Sequence, residues 1–175
     1  MNQVLDAIIS RRSCKSYKSD PVPRDIVEQV IQAGLYAPSG GNRQPVKILA
    51  VTEKATRDQL SRLNSKYDSA HRADPFYGAP VVLAVVVEKS IPTAVNDGSL
   101  AIGNMLLAAH SLGIGSCWIH RAREVFEDEE AKALLRAQGL EGEYLGIGHC
   151  VLGYPTDNTP AAPLPRKENR VFRID

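Results

Sequence analysis

The sequence predicts a single domain in which helices cover both faces of a β-sheet, and three observations carry that reading. Val81-Val82-Leu83-Ala84-Val85-Val86-Val87 is an apolar run without polar alternation, the pattern of a strand covered on both sides and central in its sheet. Leu100-Ala101-Ile102-Gly103-Asn104-Met105-Leu106-Leu107-Ala108-Ala109 is apolar nearly all round, inside a helical stretch from about Thr93 to Leu112. The length, 175 residues, is one domain's worth and lets a single core bury roughly 70% of the unfolded surface.

Taken in order, Val4, Leu5, Ile8 and Ile9 have helical spacing, so a first helix ends near Arg11-Arg12, where cations favour a helix C-terminus. Pro23 can open a second helix with the stripe Ile26, Val27, Val30 and Ile31, ended by Gly34 and Pro38. Val46 to Val51 reads as a buried strand and Thr56 to Leu63 as a short polar helix over it. Asn64 to Gly78 has no sustained period, and an irregular stretch of that length is usually functional or mobile. After the central strand and the long helix, Gly113 and Gly115 stop the helix and Ser116 to Ile119 is a short strand. Glu129 to Gln138 is a charged surface helix closed by Gly139. Tyr144 to Leu152 is the last full strand, with Gly146, Gly148 and Gly153 permitting close backbone approach. The proline-rich segment from Tyr154 to Asp175 ends in Val171-Phe172-Arg173-Ile174, which is expected to add a strand to a sheet, a partner's included. The all-round apolar helix makes a homodimer the simplest cover.

Twenty-one Lys and Arg against 20 Asp and Glu give a net charge of +1, spread along the chain, so no electrostatic driver for nucleic acid exists and any anion site is local. No apolar run approaches the ~20 residues of a membrane span, and no leader pattern precedes Val4. Cys14, Cys117 and Cys150 are odd in number and far apart, which suits a reducing compartment, and a cytoplasmic protein is expected.

The polar loop Ala37-Pro38-Ser39-Gly40-Gly41-Asn42-Arg43-Gln44-Pro45 has its ends fixed by proline, while its glycines leave room for a planar ligand. Ser39, Asn42 and Gln44 can donate to and accept from the polar edge of a heterocycle, although the same composition also makes an ordinary turn. Arg11-Arg12-Ser13-Cys14-Lys15 puts three cations and a hydroxyl beside a helix end, as a phosphate cradle or a solvated basic turn would. Arg166-Lys167 is a second basic pair. His71, His110, His120 and His149 lack zinc-site spacing, so no metal is expected. There is no Gly-x-Ser-x-Gly elbow, and the cysteines have no local activator. With no acid, base or nucleophile of its own in evidence, the chain needs a bound cofactor to carry the chemistry.

Arg11-Arg12-Ser13-x-Lys15, the 37–45 loop, Ala79-Pro80 before the valine-rich strand, Leu112-Gly113-Ile114-Gly115, and Gly153-Tyr154-Pro155 with its basic tail together resemble the nitroreductase family in its compact form. The resemblance spans residues 1–175 as one FMN-binding domain with 154–175 as a C-terminal arm. It implies an α+β fold with a mixed central sheet flanked by helices, and an intertwined homodimer with exchanged arms and FMN at the subunit interface. Carried over residue by residue, Arg11, Arg12 and Ser13 approach the phosphate and ribityl chain, and Lys15 the pyrimidine edge. Pro38, Ser39, Gly40 and Asn42 approach the flavin from the other subunit, with Gln44 supporting the loop. Trp118, Ile119 and the following backbone run along the ring, and Arg166 and Lys167 serve the phosphate. The implied activity is hydride transfer from NADH or NADPH through flavin N5 to a small acceptor, a nitroaromatic or quinone, by a ping-pong cycle in which water can supply protons. Lys15 would stabilise the charge that reduction places near flavin N1. Alternatives are a specialised offshoot (reductive dehalogenation or flavin fragmentation), a non-catalytic flavin-storage protein, and a binder of some other phosphate ligand. Asn64 and Lys66 are further candidate ligands, and Tyr67, Phe76, Tyr77 and Trp118 candidates for the acceptor pocket. Val46 stands where many relatives carry a large aromatic, and the long insertion of larger members is missing, leaving Asn64–Gly78 and His120–Phe126 as the segments able to form a lid.

Overall fold

The structure is a computed structural model that describes residues 2–156 and 162–174; residues 157–161 of the expected arm lie outside them. Its sheet has the order β1-β2-β4-β3, with β1 Lys47–Val51, β2 Val81–Glu88, β3 Gly115–Ile119 and β4 Tyr144–Gly153. The pairings between these strands are antiparallel. A parallel bridge between Ser13 and Ser116 lays the segment after the first helix along the outer edge of β3.

The valine-rich run is the interior strand its sequence predicts, because its two faces feed two separate cores. Val82, Ala84 and Val86 join Leu60, Leu63, Phe76 and Phe126, while Val81, Leu83, Val85 and Val87 join Val27, Val30, Ile102 and Met105. Helices α3 (Lys54–Ser65), α5 (Ala122–Val125) and α6 (Glu129–Ala137) supply the first core; α2 (Arg24–Leu35) and α4 (Ala94–Ser111) supply the second. Helix α1 (Gln3–Ser10) packs on α4. Side chains cap several helices at their first N–H groups: Asn2 accepts from Val4, Glu53 from Ala55 and Thr56, and Asp128 from Glu130. Gly146 and Gly148 admit neighbours that no other residue would: a Cβ would lie 2.0 Å from the Ala122 carbonyl oxygen at the first and 2.1 Å from the Trp118 indole nitrogen at the second.

Several expectations are corrected. Strand β1 starts at Lys47 and is an edge strand with Lys47 and Ala50 exposed, because only β2 pairs with it. Gly34 does not stop α2 but lies inside it, where its missing side chain makes room for Met105. Gly115 belongs to β3 and packs on Cys14, so Gly113, with φ +73°, is the glycine that leaves the helix. Asn64 and Ser65 are the last residues of α3, not part of the loop. Within a single chain the described part of the tail adds no strand to the sheet, and Val171, Phe172 and Ile174 are exposed, as a segment that pairs with a partner would be. Helix α4 is covered on one side by Ala101, Ile102, Met105 and Ala109, but Val95 and Leu100 are about half exposed, as are Val4, Leu5, Ile8 and Ile9 of α1. Among the described residues no helix is long and apolar enough to cross a membrane.

Candidate functional site

Helix α1 ends at Ser10 with the Arg11 N–H still donating to the Ala7 carbonyl at 3.0 Å. The chain then leaves extended, and the Cys14 N–H donates to the Ser116 carbonyl at 2.9 Å, which ties this segment to β3. So anchored, Arg11, Arg12, Ser13 and Lys15 line one groove of about 1220 Å³. Its other wall is the tail, Ala162 to Arg166. The fold thus brings together four of the predicted cradle residues and Arg166, across more than 150 positions of sequence. Lys167 is exposed and does not line it.

Among the described residues, two guanidinium nitrogens of these groove-lining arginines, Arg11 Nη1 and Arg12 Nε, are buried without a hydrogen-bond partner. Arg12 Nη1, by contrast, donates to the Ile9 carbonyl at 2.8 Å, which fixes the side chain while Nε stays unsatisfied. Buried cationic donors left unpaired are costly, and an oxyanion is their natural complement. Lys15 Nζ sits 5.9 Å from the centroid of the Tyr77 ring, whose other cationic neighbour is Arg72 at 5.6 Å. Nearby thiols offer no nucleophile: burial pushes the Cys117 thiol up, against the lowering effect of Ser13 and Lys15, and burial pushes Cys150 up further.

The 37–45 loop holds a strained shape. Gly41, Asn42 and Gln44 all have φ between +50° and +59°, and a single 3₁₀ turn spans Gly40–Asn42. The Gln44 N–H donates to Ser39 Oγ at 2.9 Å, Gln44 Nε2 to Asn42 Oδ1 at 3.0 Å, and the Gly40 N–H to Asp97 Oδ1 at 3.0 Å. Thr93 Oγ1 holds the other Asp97 oxygen at 2.7 Å, so the start of α4 fixes the loop. Pro38, Ser39 and Gln44 line a cavity of about 160 Å³ that shares no residue with the basic groove. The two predicted halves of the site are therefore not joined within one chain.

At the end of β3, Ile119 is buried, while Trp118 lies over Gly148 with 49% of its surface exposed and meets the His120 ring edge-on at 5.8 Å. Of the other candidates, Phe76 is completely buried in the first core, which removes it from any acceptor pocket. Asn64 is buried and donates to the His120 carbonyl at 2.8 Å; Lys66 is paired with Asp128 at 2.9 Å. Both tie the end of α3 to the 120–128 segment. Sequence reading missed Asp74, which organises the 66–80 segment, and His110, which touches the end of α1. The side-chain partners of both lie 13 or more residues away, and the only local sign is the turn by which Asp74 accepts from the Phe76 and Gly78 N–H groups.

Fold and groove define the class first: an α+β domain with a cationic groove at one edge of its sheet. The chain belongs to the nitroreductase family, whose pattern matches residues 8–158. A protein of Archaeoglobus fulgidus provisionally named NADH dehydrogenase/NAD(P)H nitroreductase is 32% identical over 160 residues, covering 90% of this chain and 88% of its own. The NADPH-flavin oxidoreductase of Vibrio harveyi is 29% identical, over 93% of this chain and 70% of its own. The crystal structure of a nitroreductase with bound FMN from Bacteroides fragilis matches with a TM-score of 0.87 and 29% identity over the full length of both chains.

Proposed function

We propose that this protein is an FMN-dependent NAD(P)H oxidoreductase, a single FMN-binding domain over residues 1–175 with 154–175 as its arm. The observation that carries the proposal is the pair of buried, unpartnered guanidinium nitrogens of Arg11 and Arg12 in a groove also lined by Ser13, Lys15 and Arg166. That donor set fits the phosphate of FMN. When bound, FMN supplies two-electron chemistry, taking a hydride from NADH or NADPH and handing it to a nitroaromatic, quinone or similar small acceptor in a ping-pong cycle.

The chain's own residues bind and orient. Arg11, Arg12 and Arg166 neutralise the phosphate, with Lys167 free to add long-range attraction from the tail. Ser13 contributes a neutral donor. Lys15 places a fixed positive charge where reduction adds electron density, a stabilisation that acts without any proton transfer by the protein. Trp118 and Ile119 form the floor beside the ring.

The loop residues Pro38, Ser39, Gly40, Asn42 and Gln44 complete the site from a second copy of the chain. Two features support a homodimer with exchanged arms: the half-exposed apolar stripe of α1, and the open edge of β1 beside a groove of about 790 Å³ that includes Ile31, Val46 and Leu134. An edge strand with an apolar flank is the natural seat for Val171–Ile174 of the other subunit.

The test begins with purified protein, expected to be yellow or to take up added FMN; a colourless protein that binds none overturns the proposal. Anaerobic NADH or NADPH should bleach the flavin, and a panel of nitroaromatics and quinones should restore its absorbance. Bleaching without reoxidation by any acceptor would point to storage instead. Arg12→Ala and Lys15→Ala are expected to lower FMN retention at least tenfold, the scale of one lost charged hydrogen bond. Full occupancy in both variants would show that the cradle lies elsewhere.

A further inference from the structure

His110 lies in the last turn of α4, and its Nε2 is hydrogen-bonded to Ser10 Oγ at 2.8 Å, joining the C-terminal ends of α4 and α1 at the residue that precedes the groove-lining Arg11 and Arg12. The groups facing it from α1 and the segment after it are Ser10, Arg11 and Arg12. Along α4 the residues a turn away are Leu106 and Leu107, neither charged. Three influences therefore bear on its charge. Partial burial and the two arginines hold its pKa below the ordinary histidine value, while the C-terminal end of α4 favours a cation. An oxyanion between Arg11 and Arg12 changes that balance, because its negative charge offsets the repulsion that keeps the imidazole neutral.

We propose that His110 couples proton uptake to phosphate binding: when a phosphomonoester or another dianion occupies the Arg11–Arg12 groove, the His110 ring gains a proton and becomes an additional cation of the cradle. The protonated ring donates to Ser10 Oγ through Nε2, and the hydroxyl can accept that bond whichever tautomer the neutral ring adopts, so charge is added without moving α1. His110 thus acts as a positioning residue for the cofactor's phosphate, through the two arginines rather than by touching the ligand. The inference rests on the proposed FMN site for its physiological ligand, but the coupling itself requires only a dianion.

By linkage, a group that binds a proton more tightly in the complex makes the complex tighter as pH falls through its titration range. The imidazole resonance of His110, identified by its absence in His110→Gln, would be followed by NMR from about pH 5 to about pH 9, a range that spans the histidine titration. Three samples suffice: ligand-free protein, protein saturated with FMN, and protein in sulfate, which remains a dianion throughout. The expected result is a higher titration midpoint with either ligand. FMN affinity should also rise about 3- to 10-fold more between pH 8 and pH 5 in the wild type than in His110→Gln, as a shift of about half to one pKa unit requires. The comparison with the variant cancels the titration of the FMN phosphate itself. An unchanged midpoint with FMN or sulfate demonstrably bound overturns the coupling. A midpoint raised by sulfate in a protein that takes up no FMN keeps the coupling and overturns the flavin reading. Failure to bind either dianion at saturating concentration overturns both.

Discussion

His149 shows how one residue can set a stability profile. It lies on β4, fully buried, with its ring 5.2 Å from Phe76 and 6.1 Å from Phe126, and the backbone at Ile119 is the one polar influence set against that burial. Burial pushes its pKa down to about 4. The sign follows from linkage: between about pH 6.5 and about pH 4 the unfolded chain binds a proton that the folded chain refuses, so stability falls as pH falls through that window. From pH 7 to pH 5 the wild type should lose about 2 kcal/mol of unfolding free energy in urea, and His149→Leu should lose much less. Equal losses in both proteins would show that the ring is not the proton acceptor. No inspection of the sequence could find this, because Leu145 to Val151 does not reveal which side of the strand meets two phenylalanines. The cradle, in contrast, was readable at this scale: Arg11, Arg12, Ser13 and Lys15 are contiguous, and one helix end suffices to bring them together.

Among the elements, the segment between α3 and β2 matters most to the site, since it brings the Tyr77 ring, which also carries Arg72, to Lys15. It is pinned at Asp74, whose carboxylate accepts from Arg57 Nη2 at 2.6 Å, Ser61 Oγ at 2.6 Å, the Phe76 N–H at 3.0 Å and the Gly78 N–H at 2.7 Å. Arg57 also donates through Nε to the Ala79 carbonyl at 2.9 Å. Burial alone would raise the Asp74 pKa, but the bonds from Arg57, Ser61 and Gly78 outweigh it and hold the carboxyl below the usual range. This segment is therefore a fixed wall and not a free lid. Asp74→Ala removes the Nη2 partner of the buried Arg57, leaving it Asp58 and the Ala79 carbonyl, and frees the Ser61, Phe76 and Gly78 donors; it is expected to cost about 2–3 kcal/mol in urea unfolding and to open the chain to trypsin at Arg72. A cost under about 1 kcal/mol, the scale of an exposed ion pair, would mean that the segment is held by other contacts. Of the helices around it, α3 and α6 were legible from local composition and from Gly139, whereas α5 was not, and its buried Ala122 and Val125 remove the 120–126 segment as a lid. The exposure of β1 was not, because Val46 to Val51 is as apolar as a buried strand and its edge position depends on which strands pair elsewhere.

For the whole molecule, the separation of the two predicted half-sites is the decisive fact. The basic groove follows α1, whereas the strained loop is fixed at the start of α4 and lines a different cavity. A loop that carries three positive φ angles and does not line the basic groove of its own chain has a ready role if it serves the groove of a second copy. In the proposed dimer the exposed stripe of α1 would be covered by the partner, so disrupting that stripe separates assembly from the chemistry of the cradle. Val4→Glu with Leu5→Glu changes neither the arginines nor the groove lining, and both side chains are more than half exposed in the single chain, so its fold should survive. The double variant is expected to be a folded monomer by sedimentation and circular dichroism, and to lose bound FMN although Arg11, Arg12, Ser13 and Lys15 are intact. A monomer that keeps FMN at wild-type occupancy would show that one chain holds the complete site and that the 37–45 loop serves something else.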